Sequence, residues 1–266
     1  MAAATLITLR ETLEASLVVG IVLAYLEASG NRRLDRYVWW GVVTGVATSI
    51  WVAIVAESLF GGFSGRAEEI YEGATMLVGA GLLTWMILWM LKQGRLLRRH
   101  IEGEVHDHVE HNHPWGIFTL TLVATAREGV ETVIFLKATI VHTGIGYHLL
   151  GSILGVAVAV LIAFLFFQGV KIVPLRHVFT STSVLLLLFA AGLVAHGVHE
   201  FQEAGLLPFL QGKFWDTSTI LNERSTLGSL AKALLGYNAD PSVLEILSYA
   251  LYVLGITWTW KKMRRT

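Results

Sequence analysis

Seven stretches of the chain are apolar for about the 20 residues that a helix needs to cross a bilayer. They lie near 4–28, 38–60, 69–92, 115–142, 147–170, 179–204 and 241–260. Each predicts a membrane-spanning helix, so the expected fold is an all-α polytopic membrane protein of seven transmembrane helices in a single membrane domain, 1–266. The opening "MAAATLITLRE" lacks the basic start of a signal peptide and its apolar run continues at spanning length, which predicts a first helix instead. Between 205 and 240 the pattern changes. Gly205 and Pro208 read as stops, Asp216 or Ser225 as N-caps and Gly236 as a C-cap, which predicts short interfacial helices in a loop.

Two of the seven stretches contain an arginine, each time beside two glutamates. The first reads "RETLE" at residues 10–14 and the fourth reads "REGVE" at 127–131, so Arg10, Glu11 and Glu14 recur as Arg127, Glu128 and Glu131. One ionisable side chain near the middle of a membrane helix costs roughly 3 kcal/mol on insertion scales, which makes three in one span a functional signal. The copies are three helices apart, and an odd offset makes them cross the membrane in opposite senses, as in an inverted 3+3 repeat. Residues 1–92 and 115–204 form the expected halves, with the helix at 241–260 as an addition. Gly41 and Gly45 open the second span as Gly151 and Gly155 open the fifth, at small-xxx-small spacing, and "LVGAGLL" in the third matches "LFAAGLV" in the sixth.

Composition supports the class: 54% hydrophobic, 15% charged, nine tryptophans and four prolines, with a mean hydropathy of +0.60. The formal net charge of zero gives no sign of a nucleic-acid partner. The basic clusters fall after the first, third and fifth spans and at the C-terminus: Arg32, Arg33 and Arg36; Lys92, Arg95, Arg98 and Arg99; Lys171 and Arg176; Lys261, Lys262, Arg264 and Arg265. With seven spans they share one side, which by the positive-inside rule puts the N-terminus outside and the C-terminus in the cytoplasm. The 205–240 loop is then outside.

On a helix, Arg10, Glu11 and Glu14 fall within about a 100° arc, as do Arg127, Glu128 and Glu131. If the two motif helices cross at the repeat axis, four carboxylates and two guanidiniums converge with a formal charge of −2, a site for a cation. Pairing each arginine with one glutamate for packing alone leaves the two surplus carboxylates unexplained. With no cysteine in the chain, an oxygen-rich site suits hard cations such as ferric or ferrous iron, manganese or magnesium.

Two further pairs, Glu69 with Glu72 and Glu200 with Glu203, sit at i,i+3 toward the outer surface, and His196 and His199 precede the second pair by a turn. They are candidate metal ligands, against the alternative of interfacial solvation and helix-dipole complementation. The segment 100–115, "HIEGEVHDHVEHNHPW", is expected to be a solvated cytoplasmic loop whose His106, His108, His111 and His113 are possible accessory ligands. Met76, Met86 and Met90 are expected to pack. A membrane di-iron enzyme built on Glu200 and Glu203 is the competing class, but "HEFQE" lacks the second histidine of His-Glu-x-x-His. A seven-helix photoreceptor would need a lysine within the last helix, and Lys261 and Lys262 lie only at its end.

The doubled Arg-Glu-x-x-Glu, with Glu-x-x-Glu in "EEIYEG" and "HGVHEFQEAG", resembles the oxidase-dependent iron permease family, which includes the fungal high-affinity iron permease and bacterial ferrous-iron uptake permeases. The resemblance spans nearly the whole chain. It implies a transporter, not an enzyme, that imports iron across the plasma membrane, the inner membrane of a bacterium. It implies Arg10, Glu11, Glu14, Arg127, Glu128 and Glu131 as the transport site, Glu69, Glu72, Glu200 and Glu203 as uptake ligands, iron as cargo with no organic cofactor, and a ferroxidase or periplasmic iron-handling partner. Other family members are thought to carry metals such as lead. The usual motif is Arg-Glu-Gly-Leu-Glu; Thr12 replaces its glycine in the first copy and Val130 its leucine in the second.

Overall fold

The computed structural model describes residues 1–60, 64–93, 97–110, 113–140, 145–169, 175–222 and 225–265. Nine α-helices account for most of them: α1 (Ala2–Ala28), α2 (Asp35–Phe60), α3 (Arg66–Gln93), α4 (Leu97–Glu110), α5 (Pro114–Ile140), α6 (Ile145–Phe167), α7 (Leu175–Glu203), α8 (Thr226–Leu235) and α9 (Val243–Arg265). Each predicted span coincides with one long helix. Five of these helices (α2, α3, α6, α7 and α9) are long and apolar enough to cross a membrane. At 27 residues each, α1 and α5 match them in length; what sets them apart is the Arg-Glu-x-x-Glu charge.

The helices pack in a crossed pattern. α1 lies against α6 and α2 against α5, while α3 packs on α7, α9 on α7, and α1 also meets α5. Glycine permits close approach in both the α2–α5 and α1–α6 pairs. A Cβ on Gly45 would sit 2.8 Å from Thr125 Cβ and 3.1 Å from the Ala126 nitrogen, and one on Gly155 would sit 2.5 Å from the Thr5 carbonyl and 2.9 Å from the Leu9 nitrogen, beside the Thr8 hydroxyl. Thr8 and Thr125 occupy the same position in the two motif helices, two residues before each arginine. The "LVGAGLL" and "LFAAGLV" stretches differ in surroundings: Gly81 faces open space, whereas Gly192 packs on the backbone of Gly236.

Ile7, Met76, Leu83, Ile87, Phe135 and Leu186 are among the buried residues that join α1, α3, α5 and α7 into one core, with Tyr252 and Ile256 of α9 packed against it. The outer faces are apolar too. Trp40, Ile50, Trp51 and Ile54 on α2, Ile153, Leu161 and Phe164 on α6, and Leu247, Leu251, Leu254 and Trp258 on α9 are exposed, a pattern that suits contact with lipid.

Two expectations are corrected. The His-rich segment is not a loop through 100–110: it forms α4, whose Ile101 and Val105 are buried with Val22, Leu26, Val38 and Ile117. An apolar stripe of Ile101, Val105 and Val109 at every fourth position outweighs its polar composition. In the 205–240 region a single helix, α8, forms among the described residues instead of several. Its caps are those expected: the Ser225 hydroxyl accepts from the Gly228 amide at 3.0 Å, and Gly236 closes it at φ 67°. Gly205 likewise ends α7 at φ 71°, with the Leu206 amide bonded back to the Phe201 carbonyl. Asp216 instead holds a local turn by accepting from the Ser218 amide at 3.0 Å.

Candidate metal-transport site

Where α1 meets α5, the two motifs converge. One carboxylate oxygen from each of Glu11, Glu128 and Glu131 lies within 4.8 Å of the others, the only such group of three acidic or imidazole side chains among the described residues. Oε2 of each of these three glutamates is buried with no hydrogen-bond partner. Buried acceptors without donors are costly, so three of them in one place fit a site that receives a cation.

The two arginines differ in a way that their identical motifs conceal. Arg10 is fully buried, 3.0 Å from Glu11 and 2.9 Å from Glu14. The same two terminal nitrogens reach the sulfurs of Met86 at 3.2 Å and Met90 at 3.4 Å, while Nε is buried without a partner. Arg127 pairs with Glu128 at 3.1 Å and Glu131 at 3.2 Å, but its side chain is 48% exposed. The Trp89 ring lies under its guanidinium, 5.5 Å from the centroid. Glu14 stands outside the close group of three, although its Oε1 is also buried without a hydrogen-bond donor, so the copies contribute unequally: one glutamate from α1, two from α5. Met86 and Met90, expected only to pack, contact a motif arginine. Their i,i+4 spacing on the helix that follows the first repeat's glycine-rich span was the available signal.

The second copy keeps its glycine for a packing reason: a Cβ at Gly129 would run into Ser49 of α2. In the first copy, where Thr12 stands, the position of α6 equivalent to Ser49 is Ala159, which is smaller and fully buried.

At the other cluster, α3 begins where α7 ends, with Gly73 against Phe201 and Gly197. This brings Glu69 and Glu72 toward Glu200 and Glu203, and the charges of all three neighbours act on Glu200. His199 links Glu203, at 3.3 Å from Nε2, to Glu245 of α9, at 2.9 Å from Nδ1. Sequence reasoning missed Glu245, which is 1% exposed. Its signal was Ser242-x-x-Glu245, a capping box: the Ser242 amide donates to Glu245 at 3.0 Å and the Glu245 amide to the Ser242 hydroxyl at 3.2 Å. Asn238 donates to its other oxygen at 2.8 Å. His196 is buried, with Nδ1 2.9 Å from the Gly192 carbonyl. These side chains gather at one end of α3 and α7, but less tightly than the three motif glutamates.

On α4, His106 meets the Tyr25 hydroxyl at 2.8 Å and Glu110 at 3.5 Å, and the His108 ring packs over Gly116. His113 follows the helix, and His111 lies outside the described residues.

An all-helical chain with apolar outer faces and a buried, oxygen-rich centre has the makings of a membrane transporter for a cation. Comparison with known proteins gives the particular group: the chain belongs to the iron permease FTR1 family, whose profile matches residues 1–260. It is 34% identical over 251 residues to the ferrous iron permease EfeU of Escherichia coli O6:K15:H31 (strain 536 / UPEC), covering 94% of this chain and 91% of the relative. It is 32% identical over 252 residues to EfeU of Yersinia pestis, covering 94% and 89%. An EfeU of Escherichia coli (strain K12) whose name marks it as inactive is also 34% identical. No solved structure matches.

Proposed function

We propose that this chain imports iron across the plasma membrane, the inner membrane of a bacterium, by passing it through the carboxylates where the two Arg-Glu-x-x-Glu helices cross. The observation that carries this reading is the convergence of Glu11, Glu128 and Glu131, from both copies of the motif, each with an unpartnered buried oxygen. All-oxygen ligation suits either oxidation state of iron and also manganese; the relatives' names favour ferrous iron as the cargo.

In this reading α1 and α5 complete a set of seven spans, and residues 1–92 and 115–204 are inverted halves with α9 added. The packing supports it: each motif helix is held by the second helix of the other half, through Gly45 on Thr125 and Gly155 on Thr8. Such an interface lets one half rock against the other around a central site. Glu69, Glu72, Glu200 and Glu203, with His199, collect metal at the outer face. The histidines of α4 receive it on the cytoplasmic side, and a ferroxidase or periplasmic iron-handling protein delivers it.

The test is uptake by sealed vesicles holding the purified protein, run with ferrous iron, ferric iron, manganese and lead. Saturable iron accumulation supports the proposal, and accumulation of manganese or lead but not iron contradicts it. A tag at residue 218 should be reached from outside and a reporter after Thr266 from the cytoplasm. A C-terminus that faces outward would overturn the seven-span count and the inverted halves.

A further inference from the structure

One face of α3 touches both motif arginines. Met86, Trp89 and Met90, at i, i+3 and i+4, fall within about a 100° arc of the helix. The two sulfurs contact Arg10 at 3.2 and 3.4 Å, and the indole lies under Arg127 at 5.5 Å. None of the three belongs to a repeated motif.

We infer that Trp89 is a positioning residue for iron binding: it is the platform that holds the Arg127 guanidinium when a cation displaces it from Glu128 and Glu131. This rests on the transport reading above. Arg10 is enclosed, bonded to two carboxylates and two thioethers, and has no room to leave. Arg127 is half-exposed and shares its carboxylates with the close group of three. A cation seated on Glu11, Glu128 and Glu131 repels the guanidinium, so Arg127 is the charge that must give way.

While Arg127 is paired, two carboxylates already balance its charge and the ring adds little. Once the cation has taken those carboxylates, the indole face is a contact the guanidinium keeps. Trp89 therefore favours the cation-bound state over the paired one. Attraction between a guanidinium and an aromatic face is modest at such exposed sites, enough to change an affinity about two- to fivefold. Leucine keeps the bulk of the side chain and loses the ring; phenylalanine keeps a weaker ring.

The test is equilibrium binding of ferrous iron, under reducing conditions, to the purified full-length chain. Wild type is compared with Trp89→Leu, Trp89→Phe, Arg127→Gln and the double variant Trp89→Leu with Arg127→Gln, with thermal unfolding measured alongside. Trp89→Leu should weaken binding about two- to fivefold, and Trp89→Phe should weaken it less. With Arg127 already replaced, Trp89→Leu should change nothing more. Equal affinity in wild type and Trp89→Leu would overturn the inference, as would a loss of the same size with and without Arg127, which marks a packing role. If Trp89→Leu is too unstable to purify, Trp89→Phe against Arg127→Gln decides by the same comparison. Wild type that binds no iron would overturn the transport reading itself, an outcome distinct from variants that bind as well as wild type.

Discussion

The two arginines have the same neighbours in sequence and different ones in space, so replacing each with glutamine should give different results. Arg10 forms two buried ion pairs. Its removal strands Glu11 and Glu14 in the interior, and removing one partner of a buried pair costs roughly 3–5 kcal/mol. At about 2–4 °C per kcal/mol for a chain of this size, Arg10→Gln should lower the unfolding temperature by on the order of 10 °C. Arg127 makes the same two kinds of pair with its side chain half-exposed, though Glu128 is buried; at the exposed limit such pairs contribute about 1 kcal/mol or less. Arg127→Gln should shift unfolding by only a few degrees, roughly 2–4 °C. The assay is thermal unfolding of detergent-purified protein followed by fluorescent size exclusion, together with membrane yield for each variant. Equal losses in the two variants would refute the claim that α3 and burial make the copies unequal.

Gly45→Val and Gly155→Val should both reduce membrane yield sharply, because each new side chain meets the backbone of a facing helix; Gly81→Ala, pointing into open space, should be near neutral. Yields that fail to separate these positions would deny the close helix contacts. If the cluster of Glu69, Glu72, Glu200 and Glu203 collects metal at the outer face as proposed, Glu72→Gln and Glu203→Gln should each raise the iron concentration needed for half-maximal uptake while leaving the maximal rate intact. An unchanged concentration dependence would reduce that cluster to surface charge.

The helices were legible because each apolar run is continuous, and α1 and α5 remained legible because the charges inside them repeat with the same spacing. Where the charges go was only half legible. Helical geometry puts Arg10, Glu11 and Glu14 on one face, but it does not reveal that Met86 and Met90 of α3 contact Arg10. These residues lie more than seventy positions away, beyond the reach of any local pattern. Two misses were local. The stripe of Ile101 and Val105 predicts a helix where the histidines suggested a loop, and Ser242-x-x-Glu245 predicts a helix start that also anchors His199.

The central claim is that Glu11, Glu128 and Glu131 hold the ion in transit. The most direct measurement is uptake of labelled iron by vesicles carrying Glu11→Gln, Glu128→Gln or Glu131→Gln, each checked for folding by its unfolding temperature. Glu57→Gln, which alters an exposed pair with Lys137, serves as the control. The account predicts folded proteins whose uptake falls to background in all three, with the control unchanged. A folded variant of any of the three that carries iron at the wild-type rate would contradict it.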